Sequence, residues 1–413
     1  MEREENFQFD ERSSGFLDRL LGVVQEFAGE QALEEFRRIK TEREKYLHEQ
    51  WLPAAVETGQ VVLRDIDYEH LLTLLQEAVG EDFDRYFQAH TQIVRICLEF
   101  GKYDRAFSIL NDLTVPTEDL QKQGEYYMLF GKMYLFINAY QESFSSYKKA
   151  LDIYQTLGID SSLAAVYNNL GIVAHEQWQI EDGKYFFEKA EQLAKSLGDE
   201  HLQVMIEMNL GIVHNIRGES EKAYQMFERL YQCAGDRNIE WLLQLHVNQS
   251  LSARDCGRID EAKAILQKAE FFVSEIQNRG YLGTFHLAYG EVLIETEEYE
   301  ESLRHLGIAF KIFSQLFDLV NVADVYRAFA VLHTRQGYYE LADSEFRISL
   351  RVNNEKGNIH NLAVTNYEYS ELARVTGQKE AERERLQKSL SFYETIGASA
   401  RIQKIQSRLD ELT

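Results

Sequence analysis

Apolar side chains recur every three to four positions along most of this chain, the spacing that places them on one face of an α-helix. Only 2 prolines interrupt the 413 residues, so few positions force a helix to end. The pattern predicts an all-α protein. Because the chain is longer than one compact core usually holds, its helices are expected to form several domains or one stacked array.

A segment of about 40 residues recurs along the chain, and a small residue marks its phase. The markers are Gly131, Gly171, Gly211, Ser250, Gly290, Ala330 and Ser370. A second small residue stands 12 positions later in six of these seven units, and a large apolar residue such as Tyr147 or Phe187 follows four positions after that. This order predicts two helices that pack closely within each unit.

Glycines mark both turns of the repeat. Those expected to end a second helix in the left-handed conformation are Gly158, Gly198, Gly357 and Gly397. Two other units carry Asn238 and Asp318 there, residue types that tolerate this conformation better than most. The glycines expected in the tight turn inside a unit are Gly218, Gly257, Gly337 and Gly377.

The pattern resembles the tetratricopeptide repeat, which has small residues at positions 8 and 20, Gly at 15 and an aromatic residue at 17, here Tyr140, Tyr299 and Tyr339. The 40-residue period is similar to that of kinesin light chains, spindle-orientation adaptors and peptide-pheromone sensors of Gram-positive bacteria. The resemblance implies a right-handed superhelical solenoid of antiparallel helix pairs. About eight units are expected over residues 85–397, the first at irregular spacing, with a capping helix at 398–413.

Residues 1–84 do not follow the repeat and are predicted to form a helical N-terminal module. They hold 9 Lys and Arg against 21 Asp and Glu. Some of the pheromone sensors are transcription factors with a helix-turn-helix at this place, whereas others, regulators of phosphatases, have a helical bundle. A DNA-binding module needs basic contacts to phosphate, so the acidic composition disfavours the first and is compatible with the second.

Composition and motifs narrow the function. The net charge of −24 disfavours nucleic acid as a partner. No apolar run is long enough to span a membrane and the first residues do not resemble a signal peptide, so a cytoplasmic location is expected. The 3 cysteines are isolated and no enzyme motif occurs, so we predict no catalytic residue, no cofactor and no metal site.

The resemblance also implies a ligand-binding groove lined by positions 2, 5, 6, 9, 12 and 13 of each first helix. Position 6 is Asn169, Asn209 and Asn248 in three consecutive units. A carboxamide both donates and accepts hydrogen bonds, as a peptide group does, although Asn is also tolerated on any solvated helix face. The other predicted groove residues are Asn168, Met208, His175, Asn215 and Arg254.

These observations predict a scaffold or adaptor that binds a protein or an extended peptide in the groove. The alternative is a regulator that controls a response regulator or kinase when a peptide binds. The oligomeric state is left open by the sequence.

Overall fold

The structure, a computed structural model, describes residues 19–50, 70–79, 82–99, 102–232, 239–271, 273–276 and 278–412. These residues form helices joined by short turns, and no strand occurs among them. By compactness the chain divides into two units, Met1–Val166 and Tyr167–Thr413, called unit 1 and unit 2 here. The helix pairs follow one another in chain order, which confirms the predicted all-α solenoid.

Unit 1 combines helices from the predicted N-terminal module with the first helix pairs. Its helices are α1 (19–28), α2 (Glu30–Gln50), α3 (70–79), α4 (Phe83–Glu99), α5 (Tyr103–Asp112), α6 (Leu120–Phe136), α7 (Tyr140–Leu157) and the first part, 160–166, of α8 (Asp160–Glu176). Leu33 and Phe36 of α2 and Leu75 of α3 share one buried core with Ile93 of α4 and Met133 of α6. The boundary expected at residue 84 stays a prediction.

Unit 2 contains the larger part of α8, residues 167–176, followed by further helix pairs and the final helix. Its helices are α9 (Ile180–Leu197), α10 (Glu200–Ile216), α11 (Ser220–Gln232), α12 (Ile239–Asp255), α13 (Ile259–Glu270), α14 (Arg279–Glu295), α15 (Tyr299–Gln315), α16 (Leu319–Gln336), α17 (Tyr339–Lys356), α18 (Ile359–Val375), α19 (Lys379–Ile396) and α20 (Ser399–Glu411). The first helices α12, α14, α16 and α18 lie side by side, each in contact with the next. The final helix, α20, packs on α19.

The small residues that mark the repeat lie where two helices approach each other closely. A Cβ atom added to Gly171 would be 2.6 Å from the ring of Phe187, and one added to Gly211 would be 2.6 Å from the ring of Phe227. Such distances are shorter than van der Waals contact, so a larger residue would force the helices apart. The predicted pairing of a small residue with a large one is therefore confirmed.

The tight turns follow the predicted glycines, and other residues adopt the same conformation in the remaining units. Gly218 and Gly377 have φ of +79° and +73° in the turn inside their units. Trp178 and Asn138 occupy the equivalent position in two other units, each with φ of +59°. For a bulky residue such as tryptophan this conformation is strained, because its Cβ crowds the backbone.

One expected helix end is corrected by the structure. Asp318 was expected in the left-handed conformation, but the residue with positive φ, +55°, is Phe317. Asp318 has φ of −84° and caps α16 instead, since its side chain accepts a hydrogen bond from the backbone N–H of Asn321. At the start of the next helix the carboxylate of Asp318 pairs with a backbone N–H that would otherwise have no partner within the helix. Asn238 lies outside the described residues.

Within the part of the chain that the structure describes, no helix combines the length and the apolar character needed to cross a bilayer.

Candidate binding face

Side chains from successive first helices of unit 2 contact each other on one face, which we call the inner face because it carries the positions expected to line the groove. At its start, Nδ2 of Asn209 on α10 donates a hydrogen bond to Oδ1 of Asn168 on α8, 3.0 Å away. Further along, Oγ of Ser252 on α12 donates to Oδ1 of Asn215 on α10 at 2.9 Å. Predicted groove residues therefore link neighbouring helices.

Two of the three asparagines at position 6 keep their amides free. Asn169 and Asn248 are half-buried, and neither side chain hydrogen-bonds to another described residue. Each carboxamide has two N–H donors and an acceptor oxygen. The inner face thus presents amides on α8 and α12, on either side of the pair made by Asn209.

Met208, which was predicted to line the groove, lies in the apolar core between repeats. It is 6% exposed and belongs to a buried apolar cluster with Phe227 and Leu245. Its side chain therefore contributes to packing between repeats, where an unbranched thioether fills irregular space well.

His175 lies at the end of α8 beside the strained turn. Its Nδ1 is 3.8 Å from a carboxylate oxygen of Glu176, and its Nε2 is buried with no hydrogen-bond partner among the described residues. A buried ring nitrogen without a partner is uncommon in folded proteins, because desolvation is then uncompensated.

Four first helices are joined by side chains of alternating charge, which we call the charge ladder: Arg254 on α12, Glu291 on α14, Arg327 on α16 and Glu368 on α18. Arg254 and Arg327 both pair with Glu291. Nη1 of Arg327 also donates to both carboxylate oxygens of Glu368, at 2.9 and 2.8 Å. Of the predicted groove residues, Arg254 is the one that belongs to this ladder.

Asp324 adds a third carboxylate beside the ladder. One of its oxygens is 3.6 Å from Nε of Arg327, and the other accepts a hydrogen bond from Nδ2 of Asn361 at 2.8 Å. Burial raises the pKa of Asp324 to about 6, which the charge of Arg327 only partly offsets. The guanidinium of Arg327 therefore faces the carboxylates of Glu291, Asp324 and Glu368.

The carboxylates of the ladder differ in how far the neighbouring arginines offset the effect of burial on their pKa. Burial acts to raise the pKa of Glu291, but Arg327 and Arg254 outweigh it and lower this pKa to about 2. For Glu368 burial dominates and raises the pKa, although 26% of the side chain remains exposed.

Glu291, Arg327 and Glu368 were not among the residues predicted for this face. They stand at positions 9, 5 and 6 of their repeats, all of which the repeat pattern turns towards the groove. A search for charged residues at these positions would have found them. Among the described residues, no group of three or more His, Cys, Asp or Glu side chains is arranged to hold a metal ion.

The fold is similar to that of several solved structures. The Rap conjugation gene regulator of the plasmid pLS20 in complex with the Phr* peptide matches 88% of this chain and 96% of its own, at 15% identity and a TM-score of 0.59. A Rap protein complexed with competence and sporulation factor matches 92% and 99%, at 12% identity and a TM-score of 0.58. The apo quorum sensor NprR from B. thuringiensis matches 88% and 99%, at 15% identity and a TM-score of 0.57.

These similarities show that the chain has the fold of the tetratricopeptide-type sensors, as its repeat pattern predicted. No protein-family model matches the sequence, and no curated protein matches it either.

Proposed function

We propose that the chain is a scaffold or adaptor that binds a segment of protein, in extended form, on the inner face of unit 2. The observation that carries this proposal is the row of amides on that face. Asn169 and Asn248 have no partner in the described chain, and Asn209 stands between them in the repeat. A ligand backbone that pairs with these amides would be held without regard to its side chains.

The solved structures support a peptide as the ligand. Two of the three solved structures described above contain a bound peptide or factor, the Phr* peptide in one and competence and sporulation factor in the other. This chain shares the fold of both structures over most of its length.

The ligand would also meet the charge ladder, where the side chains of Arg254 and Glu368 are 24% and 26% exposed. The accessible groups there are carboxylates and guanidiniums already paired with one another, so they can accept or donate hydrogen bonds without large rearrangement. We propose binding and no catalysis at this face, in a cytoplasmic protein.

A second candidate function is a regulator that responds to a peptide and acts on a response regulator or kinase. It is favoured by the character of the similar structures, which are described as a conjugation gene regulator and a quorum sensor. The net charge of −24 disfavours direct contact with DNA for either candidate.

The test is affinity capture with the full chain, compared with the variant that carries Asn169→Ala and Asn248→Ala. Bound proteins and peptides are identified by mass spectrometry, with small peptides collected as a separate fraction. The proposal expects a ligand that the parent retains and the variant loses. A ligand retained equally by both would place binding elsewhere on the molecule.

The same experiment separates the two candidates. A short peptide in the small fraction, together with a response regulator or kinase whose capture changes when that peptide is added, supports the regulator. A protein captured without any peptide supports the scaffold.

A further inference from the structure

A row of carboxylates runs along the edge of unit 2 where the second helices begin. Position 18 of the repeat, in the first turn of each second helix, is acidic in six consecutive repeats: Glu181, Glu221, Asp260, Glu300, Glu340 and Glu380. All six residues are exposed. A carboxylate at this place stabilises its own helix through the helix dipole, so the row by itself indicates no partner.

The chain itself neutralises the first two carboxylates of the row and leaves a later one open. Arg217 pairs with Glu181, and Arg258 pairs with Glu221 at 2.7 Å. Each of these arginines belongs to the repeat that follows its glutamate. Glu300, by contrast, has no ion pair within the part of the chain that the structure describes. The row is therefore more strongly negative around α15 than around α9 and α11.

Tyr338 stands where an arginine stands in an earlier repeat. It holds position 16, as Arg258 does, and its side chain is 61% exposed. A tyrosine cannot supply the positive charge that Arg258 gives to Glu221. The equivalent carboxylate, that of Glu300, can therefore accept a charged donor from another molecule without losing a partner of its own.

Glu297 adds a second carboxylate beside Glu300. It has φ of +61° in the turn before α15, where four other repeats have glycine, which accepts this conformation at lower cost. Its side chain is exposed and makes no hydrogen bond or ion pair with another described residue, so it does not contribute to the packing of the turn. Backbone strain of this kind clusters at binding sites and active sites.

Large apolar side chains are exposed on the same edge. Leu303 on α15 is 50% exposed and Leu341 on α17 is 47% exposed, in addition to Tyr338. An ion pair between Arg335 and Glu295, 3.3 Å apart, joins the ends of α16 and α14, directly before the turns that lead into α17 and α15. We call these five residues the edge patch: Glu297, Glu300, Leu303, Tyr338 and Leu341.

We propose that the edge patch binds a basic amphipathic segment of a partner protein. Lysine or arginine side chains of the segment pair with the two glutamates, and its apolar side chains pack on the two leucines and on Tyr338. A second copy of this chain is a poor occupant, because each copy has a net charge of −24 and the patch itself is acidic. The patch shares no residue with the inner face, so this inference does not rest on the ligand proposed for that face.

The test uses the full chain and a defined probe. The probe is a synthetic helical peptide, about five turns long, with leucine at every third or fourth position and lysine elsewhere. Its twin has glutamate in place of every lysine. Fluorescence anisotropy of a label on each peptide measures its Kd at physiological salt. We expect the lysine peptide to bind and the glutamate peptide to remain free.

A first double variant tests the charges of the patch. Glu297→Gln with Glu300→Gln should raise the Kd of the lysine peptide by about three- to tenfold. The control is Glu355→Gln with Glu394→Gln, which removes the same charge from exposed residues at the opposite edge, near the ends of α17 and α19. This control should bind the peptide as the parent does, because the loss of net charge is equal.

A second double variant tests the apolar side chains. Leu303→Ser with Tyr338→Ser should raise the Kd of the lysine peptide by at least about fivefold. Its control is Phe271→Ser with Phe317→Ser, at two residues that are each 87% exposed at the opposite edge. Equal Kd values in the parent and both patch variants, or equal losses in the patch variants and their controls, would overturn the proposal.

Light scattering tests the second copy as an occupant. The proposal expects Leu303→Ser with Tyr338→Ser to leave the oligomeric state of the parent as it is. A dimer of the parent that this variant converts to a monomer would show that the patch binds another copy of the chain, and the proposal would be wrong.

Discussion

Asn209 donates a hydrogen bond to the amide oxygen of Asn168, with the two atoms 3.0 Å apart. The two residues stand at positions 6 and 5 of successive repeats, so the bond joins α8 to α10 on the inner face. Asn168 is 3% exposed, so its amide oxygen accepts this hydrogen bond inside the protein. Asn209 therefore has a packing role, whereas Asn169 and Asn248 are the amides that a ligand can use without breaking a bond of the fold.

The first prediction concerns the close packing that defines the repeat. Gly171→Ala should lower the free energy of unfolding by roughly 1–3 kcal/mol, because the added Cβ would lie 2.6 Å from the ring of Phe187. Gly307→Ala in α15 is the matched control, since nothing lies within 4 Å of its Cβ. It should stabilise the protein by roughly 0.5–1 kcal/mol through helix propensity. Chemical denaturation measures both, and equal effects would refute the repeat phase.

Much of the fold was predictable because its determinants are local and periodic. A small residue such as Gly171 or Gly211 recurs in phase with a large one, and this order is visible in the sequence alone. The helix end at Asp318 was misplaced by one residue. No glycine stands there, and a carboxylate serves equally well as an N-cap of the following helix.

The charge ladder and the stacking of the Trp178 indole on the His360 imidazole were not predicted, for a geometric reason. Arg327 pairs with Glu291 and Glu368, which stand at different positions of their repeats, so the pairing depends on the register between adjacent first helices. The stack of Trp178 on His360 depends further on the small rotations that accumulate over several repeats. Neither leaves a local pattern in the sequence.

The second prediction concerns the charge ladder. Arg327→Leu removes the guanidinium that pairs with Glu368 and one of the two that pair with Glu291, so a largely desolvated carboxylate loses its counter-charge and the free energy of unfolding should fall by roughly 3–5 kcal/mol. The control is Arg347→Ala on α17, which breaks an ion pair with Asp343 in which the arginine side chain is 71% exposed. That change should cost less than about 1 kcal/mol. Similar losses in both variants would show that the ladder is not a buried network.

The third prediction concerns pH. The Nδ1 atoms of His286 and His305 are 3.0 Å apart, which requires one ring to donate to the other. Burial lowers the pKa of each to about 4, further lowered by the neighbouring positive groups. In the unfolded chain these histidines bind protons below about pH 6.5, so the folded protein loses stability as the pH falls from about 6.5 to 4.

The double variant His286→Gln with His305→Gln tests this contribution. The loss of unfolding free energy between pH 7 and pH 4.5, measured with urea, should be smaller than in the parent by on the order of 3 kcal/mol. His201 is exposed at the start of α10, and His201→Gln is the matched substitution at a surface histidine. A double variant with the full loss of the parent would contradict the assigned pKa shifts.

The fourth prediction concerns the inner face and the central claim. Replacing Asn169 and Asn248 by alanine removes two amides without removing a hydrogen bond of the described fold. Each amide lost from a ligand contact weakens binding by roughly 0.5–1.5 kcal/mol, so the double variant should bind about tenfold less tightly. Its melting temperature should stay close to that of the parent, because both side chains are only half-buried.

The most direct measurement is isothermal titration calorimetry with the ligand recovered by affinity capture, for the parent, for this double variant and for Glu188→Ala with Glu228→Ala. Both glutamates are exposed on the second helices α9 and α11. If the inner face binds the ligand, the amide variant shows a Kd raised by about tenfold and the glutamate variant a Kd equal to that of the parent. If the glutamate variant loses affinity and the amide variant keeps it, the ligand binds the outer helices and the account is wrong.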